Sequence, residues 1–261
     1  MIGAVELTAS VARNAWQRWT RVTVLVVALA LAPTPVWAGR PLDTEDTGTV
    51  EPGKAELEVS GDFARNPEDR TWFAKGVLNL GVVPRLEVRI ESLLLSLEPD
   101  EGRRRDGIGD SLVGLKYRLL DEADTVPAVL GALTVRLPTG DEDRGLGAGE
   151  VDVGLLAVAS KTFGPVNLTG NAGYTFVTRD RELEFWALAA AIEYRATAAW
   201  SLLGEVVGTL PGHRGAEMVV LRAGTTYAVH PRVRVDTGVG FGVTRQSPDV
   251  LVTFGVTIAL F

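Results

Sequence analysis

The chain has 261 residues, 46% of them hydrophobic, with 29 Gly, no Cys, two His and a formal charge of -7. Without Cys there is no disulfide framework, thiolate metal site or Cys nucleophile, and His213 and His230 lie too far apart to suggest a multi-His metal centre. The acidic balance argues against nucleic acid, which needs a basic face, and no cofactor motif is evident.

Residues 1–38 read as a cleaved signal peptide. Arg13, Arg18 and Arg21 precede the apolar run 22–32, Pro33 and Pro35 break it, and Val36-Trp37-Ala38 places the cut after Ala38. The run has about half the ~20 residues a spanning helix needs. Its removal takes three Arg and Glu6 and leaves a net charge of -9. Residues 39–52 show no periodicity and are expected to be a short N-terminal segment in the periplasm, with a barrel over 53–261.

From Lys54 the sequence alternates. Leu57, Val59 and Phe63 fall on one face of a strand, and Glu56, Glu58, Ser60 and Asp62 on the other. The split recurs at Leu86, Val88 and Ile90 against Arg85, Glu87, Arg89 and Glu91, and at Leu115 and Tyr117 against Lys116 and Arg118. Late in the chain Val233, Val235 and Val239 oppose Arg232, Arg234 and Asp236. Turn signals divide the chain into about twelve strands, near 53–63, 71–82, 84–94, 109–120, 126–138, 150–161, 165–176, 184–195, 199–208, 216–228, 231–242 and 249–261. Most are twice the usual globular length and suit a tilted membrane crossing of 9–11 residues.

Connections alternate long and short. The long ones, 64–70, 95–108, 139–149, 177–183, 209–215 and 243–248, include the charge runs 98–106 and 141–144. Long external loops and short periplasmic turns are the habit of an outer-membrane barrel. Trp72, Tyr117, Tyr174, Phe176, Trp186, Tyr194, Trp200, Tyr227 and Phe261 fall near strand ends, where amphipathic rings meet the lipid–water boundary. An open sheet edge has no hydrogen-bond partner in lipid, so the sheet must close. The expected fold is therefore all-β, a closed antiparallel up-and-down transmembrane β-barrel of about twelve strands in the bacterial outer membrane, its lipid bilayer the first partner. The alternative fold is a soluble β-sandwich.

Several pieces in order carry a resemblance: Gly109-Asp110-Ser111, Gly114-Leu115-Lys116-Tyr117-Arg118, Leu137-Pro138-Thr139-Gly140-Asp141, Gly145-Leu146-Gly147-Ala148-Gly149 with Asp152, and Asn171-Ala172-Gly173-Tyr174. Over roughly residues 50–180 the chain resembles the outer-membrane family named for the meta-pathway of phenol degradation. The resemblance implies an outer-membrane barrel with a role in uptake of hydrophobic or aromatic small molecules. The last strand, ending Thr257-Ile258-Ala259-Leu260-Phe261, looks like the C-terminal signal read by the outer-membrane assembly machinery, although Ala259 departs from it.

The candidate lumen-lining residues are Glu56, Glu58, Arg85, Glu87, Arg89, Glu91, Lys116, Arg118, Asp152, Glu193, Glu205, Arg222, Arg232, Arg234 and Asp236. They either pair across neighbouring strands to fill the bore or line a polar conduit for a small-molecule solute. Twelve strands at ~4.8 Å spacing and ~40° tilt give a backbone radius of about 12 Å, so inward side chains leave a passage several ångströms wide at most. Inward Ala187, Ala189, Ala191, Gly224, Gly238 and Gly240 would widen one side. The glycine run 145–149 is followed by a strand rather than a helix, which argues against a nucleotide loop. A channel for small molecules is the leading expectation. A structural or adhesive barrel is the alternative, and a lipid hydrolase using His213 is disfavoured because no Ser lies near it.

Overall fold

The computed structural model describes residues 39–66, 69–99, 103–211 and 217–261; the expected signal peptide lies outside them. Twelve strands form a closed ring: β1 (Ala55–Arg65), β2 (Asp69–Val83), β3 (Leu86–Pro99), β5 (Ser111–Leu120), β6 (Ala128–Leu137), β7 (Asp152–Phe163), β8 (Val166–Val177), β9 (Phe185–Arg195), β10 (Trp200–Pro211), β11 (Met218–His230), β12 (Val233–Gly242) and β13 (Val250–Ala259). Each strand is antiparallel to its neighbours in sequence, β3 and β5 pair directly, and β1 closes the ring on β13. A four-residue strand, β4 (Arg105–Ile108), pairs with β3 over Leu94–Leu97, outside the ring. The only helical element among the described residues is the 3₁₀ turn Arg181–Leu183.

Period two decides which side meets lipid. Outward Leu115, Tyr117, Leu188, Ile192, Leu202, Leu221 and Phe254 are exposed, whereas Glu58, Glu87, Lys116, Glu205 and Asp236 are buried. A soluble protein seldom exposes a continuous apolar surface of this extent, and polar atoms inside with apolar atoms outside is the pattern lipid imposes. Tyr117, Phe163, Tyr194, Trp200 and Tyr227 ring the short-turn end, while Trp72, Tyr174, Phe176, Trp186 and Phe241 ring the other. Along β8, Tyr174 stands eight residues above the level where Val166 pairs with Tyr194. At ~3.4 Å per residue and ~40° tilt that is about 21 Å, close to the apolar band of such barrels. The seam is fitted across the ladder: Phe254 lies over Gly61, where an added Cβ would come within 2.4 Å of the ring.

The observed strands begin and end within a few residues of those expected, with two differences at the long-loop end. β1 and β2 run on to Arg65 and from Asp69, so the long connection expected over 64–70 shrinks to residues 66–68. β3 continues to Pro99, and β4 lies within the expected loop 95–108. Residues 105–108 have no alternation of their own; their extended form comes from hydrogen bonding to β3.

The connection 138–151 is compact. The Asp110 carboxylate accepts from the Gly140 and Ala148 amides at 3.0 and 2.8 Å, and Leu146 is buried against Gly107. A Cβ on Gly140 would meet the Leu146 carbonyl at 2.5 Å, and one on Gly147 would meet Asp110 at 2.6 Å. The glycines and Asp110 of the recognised pieces thus lock this loop. Asp110→Ala orphans two amides, a loss of roughly 3 kcal/mol to the loop. Limited proteolysis of intact outer membranes should then nick 139–149 in the variant while wild type resists; equal resistance would refute this role.

Candidate functional site

Closed as it is, the ring leaves an interior that side chains alone do not fill. Residues 39–50 enter it. At the short-turn end residues 51–54 form a turn, with Gly53 donating to the Gly81 carbonyl at 2.8 Å and Gly81 donating to the Lys54 carbonyl at 3.0 Å. From there the chain runs back into the bore and crosses it. The Val50 amide donates to Glu87 at 2.8 Å, and Arg118 donates to the Thr49 hydroxyl at 3.2 Å.

Glu45 is the centre of the crossing. Its carboxylate accepts from Lys116 at 2.9 Å and Arg89 at 2.6 Å, tying together β3 and β5. Its amide donates to Asn171 Oδ1, and its carbonyl accepts from Asn171 Nδ2, both at 2.7 Å, which adds β8. The Asp43 and Thr44 amides and the Thr44 hydroxyl donate to Glu205 on β10 at 3.0, 2.9 and 2.6 Å. Asp43 accepts from Arg222 on β11 at 2.9 and 2.7 Å, and Arg40 donates to Asp236 on β12 and Thr253 on β13 at 3.0 and 2.8 Å. Six residues of one segment therefore bind seven strands. The expectation of a periplasmic 39–52 is corrected accordingly: its acids find the inward cations, and water could not serve those buried charges as well.

Wall glycines make room for it. A Cβ on Gly224 would meet Pro41 at 2.7 Å, and one on Gly255 would meet the Arg40 guanidinium at 2.5 Å. The space that Gly224 and Gly238 were expected to open is thus occupied by Pro41. Charges also pair along the wall itself: Arg222 with Glu205 at 3.4 Å, Lys75 with Glu91 at 3.5 Å, Lys116 with Glu87 at 3.6 Å, and Arg136 with Asp152.

Of the fifteen candidate residues, Glu56, Glu58, Glu87, Arg89, Glu91, Lys116, Arg118, Asp152, Glu193, Glu205, Arg222, Arg234 and Asp236 lie on the inward row of their strands. Arg85 and Arg232 do not. Both sit on exposed turns before β3 and β12, and Arg85 reaches sideways to Asp121 on the neighbouring turn. Alternation extended one residue past the strand misplaced them. Sequence reasoning missed the segment's own Arg40, Asp43, Thr44 and Glu45, and the wall amides Asn79 and Asn171. An Asn is disfavoured in strands, so one at mid-strand was a signal; Asn79 donates to Glu58 and accepts from Arg89. His213 lies outside the described residues, and His230 ends β11 at the short-turn side.

The crossing divides the bore into two chambers. The one toward the long loops has about 170 Å³ and is lined by Ser60, Asp62, Lys75 and Glu91 among others. The one toward the short turns has about 210 Å³ and offers Ser160, Thr162, Thr169, Ser201, Glu193 and Arg234. Gly39, Arg40, Leu42 and Thr44 border both, so the segment is the partition. Each chamber is the size of a small organic molecule, and both are walled by hydroxyls and charges.

An outer membrane channel from Pseudomonas putida F1 is similar in fold, with a TM-score of 0.66 at 16% identity over 84% of this chain and 100% of that one. The NanC porin aligns with a TM-score of 0.59 at 11% identity over 78% and 100%. The KdgM porin, in complex with disordered oligogalacturonate, aligns with a TM-score of 0.59 at 8% identity over 79% and 99%. No curated protein matches in sequence. The family model "Putative MetA-pathway of phenol degradation" matches residues 38–260, nearly the whole of what forms the wall and its partition, and the chain belongs to that family of outer-membrane barrels.

Proposed function

We propose that the protein is an outer-membrane channel for small molecules, closed in the described state by its own residues 39–50. The observation that carries this reading is the partition: a continuous polar bore is interrupted by one peptide, held by side chains rather than by the barrel's ladder. A purely structural barrel needs no second chamber beyond its partition. The walls suit a molecule about the size of one aromatic ring bearing hydroxyl or charged groups. A bare hydrocarbon would gain no apolar contact from Ser160, Thr169 or Ser201. β13, which ends at Ala259 and leaves Phe261 exposed, is the segment presented to the assembly machinery.

Deleting 40–49 tests the reading. The variant barrel, shown folded by heat-modifiable gel migration, should conduct ions in planar bilayers at several times the wild-type level and admit small phenolic acids into liposomes. A folded deletion variant that still excludes every small solute would leave the structural reading standing.

A further inference from the structure

Below the partition, the wall of the chamber toward the short turns carries one continuous line of hydrogen bonds. Ser160 and Thr169 stand opposite each other on β7 and β8, with their hydroxyl oxygens 2.9 Å apart. Two residues nearer the turn, Thr162 and Asn167 are opposed in the same way and joined at 3.0 Å. Thr169 meets the Asn167 side-chain oxygen at 3.0 Å, and Thr162 meets Glu122 Oε2 at 3.0 Å. The line therefore runs Ser160, Thr169, Asn167, Thr162, Glu122, and every member borders the chamber.

Counting hydrogens fixes its direction. The Thr162 amide donates to Glu122 Oε1 at 2.8 Å and the Lys161 ammonium donates at 2.9 Å, contacts that hold the Glu122 carboxyl below its ordinary 4.5. An ionised carboxylate can only accept, so the single hydroxyl hydrogen of Thr162 goes to it. Asn167 must then give an amide hydrogen to Thr162, which turns its oxygen toward Thr169. Thr169 spends its hydrogen on that oxygen, and Ser160 spends its own on Thr169. At the head of the line Ser160, 5% exposed, has only lone pairs left for the chamber. Bonds aligned head to tail polarise one another, and the carboxylate at the far end makes Ser160 a better acceptor still.

The rest of the lining narrows what this acceptor meets. Among the described residues it holds three acids, Asp46, Glu122 and Glu193, and three bases, Arg40, Arg195 and Arg234, so neither sign of ion is favoured. Leu42 and Leu203 supply an apolar side. We propose that this chamber is a subsite for a neutral solute carrying a hydroxyl group on an apolar body. The hydroxyl donates to Ser160 Oγ, and the body lies against Leu42 and Leu203. The assignment rests on the channel reading, for which it names the solute class, and it makes Ser160 the residue that tells a hydroxyl from its ether.

Solution NMR of the isotope-labelled full barrel in micelles, titrated with benzyl alcohol and with benzyl methyl ether, tests it. In wild type the alcohol should shift the Ser160, Thr169 and Ser201 amide signals saturably. Its affinity should exceed that of the ether roughly five-fold, the ratio that one neutral hydrogen bond supplies. Ser160→Ala should abolish the preference. Glu122→Gln keeps the shape of the rim, but its amide can donate to Thr162, so the line can reverse and hand Ser160 a hydrogen to give. The ether should then bind as well as the alcohol. Heat-modifiable migration checks that each variant is folded. Equal affinities in wild type, or an unchanged preference in folded Ser160→Ala or Glu122→Gln, would overturn the subsite. If wild type shows the preference while the folded 40–49 deletion excludes every solute, conduction fails and the hydroxyl selectivity of Ser160 stands.

Discussion

Replacing Glu45 with Ala is expected to open the channel while leaving the barrel wall intact. The change removes two charge-assisted hydrogen bonds and leaves Lys116, which is 3% exposed, with only Glu87 at 3.6 Å. Breaking a buried ion pair from one side costs about 3 kcal/mol or more, which shifts the docked–undocked balance of the segment roughly a hundred-fold. The barrel ladder loses nothing, so the variant should fold normally while its open probability in planar bilayers rises by one to two orders of magnitude. Wild-type conductance in folded Glu45→Ala barrels would remove Glu45 from this role.

The same residue sets an acid limit on closure. Burial pushes the Glu45 carboxyl up, but Lys116 and Arg89 outweigh burial and hold it at about 2, below its ordinary 4.5. A depressed carboxyl contributes stability above its unfolded pKa and loses it as pH falls toward the folded one. Closure should therefore weaken between about pH 4.5 and 2. Asp46 acts in the opposite sense, because burial raises it above 3.8 and its contribution is fully present only below that value. Conductance recorded from pH 6 to 2.5 should rise at the acid end in wild type, and that rise should vanish in Glu45→Ala.

The second large effect is expected at Gly81. A Cβ there would lie 2.0 Å from the Glu51 carbonyl oxygen and 2.5 Å from that of Val50, both backbone atoms that cannot swing aside. Gly81→Val should force the turn 51–54 away from β2 and withdraw the segment from its root. The strand itself tolerates Val, a good β-former. The result should resemble deletion of the segment: a folded barrel, constitutively conducting, whose N-terminal residues become accessible to protease. A closed Gly81→Val channel would show that the segment is held without its turn.

Much of the wall was legible because lipid outside and polar groups inside write a period of two into every crossing, as at 113–119 and 233–241. Orientation followed from loop length, and the girdle residues from their place near strand ends. What was not legible has a common physical origin in long-range pairing. Residues 39–50 have no period because their contacts are made by single side chains to many strands, so they read only as a short periplasmic segment. β4 is extended only because β3 continues past its pairing with β5 to receive it. Arg85 and Arg232 continue the alternation on paper, yet a turn rotates them out of the bore. The pairing of opposite charges was foreseen between neighbouring strands; its stronger half joins the wall to a peptide that belongs to no strand.

Because β1 closes on β13 without help from residues 39–50, wall and partition are two separable inventions in one polypeptide. A dozen residues could be exchanged for another peptide, from a related chain or a designed library, without renegotiating a single rung of the ladder. Diversification of what such barrels admit would then be cheapest at their front edge, where the mutational load on assembly is least.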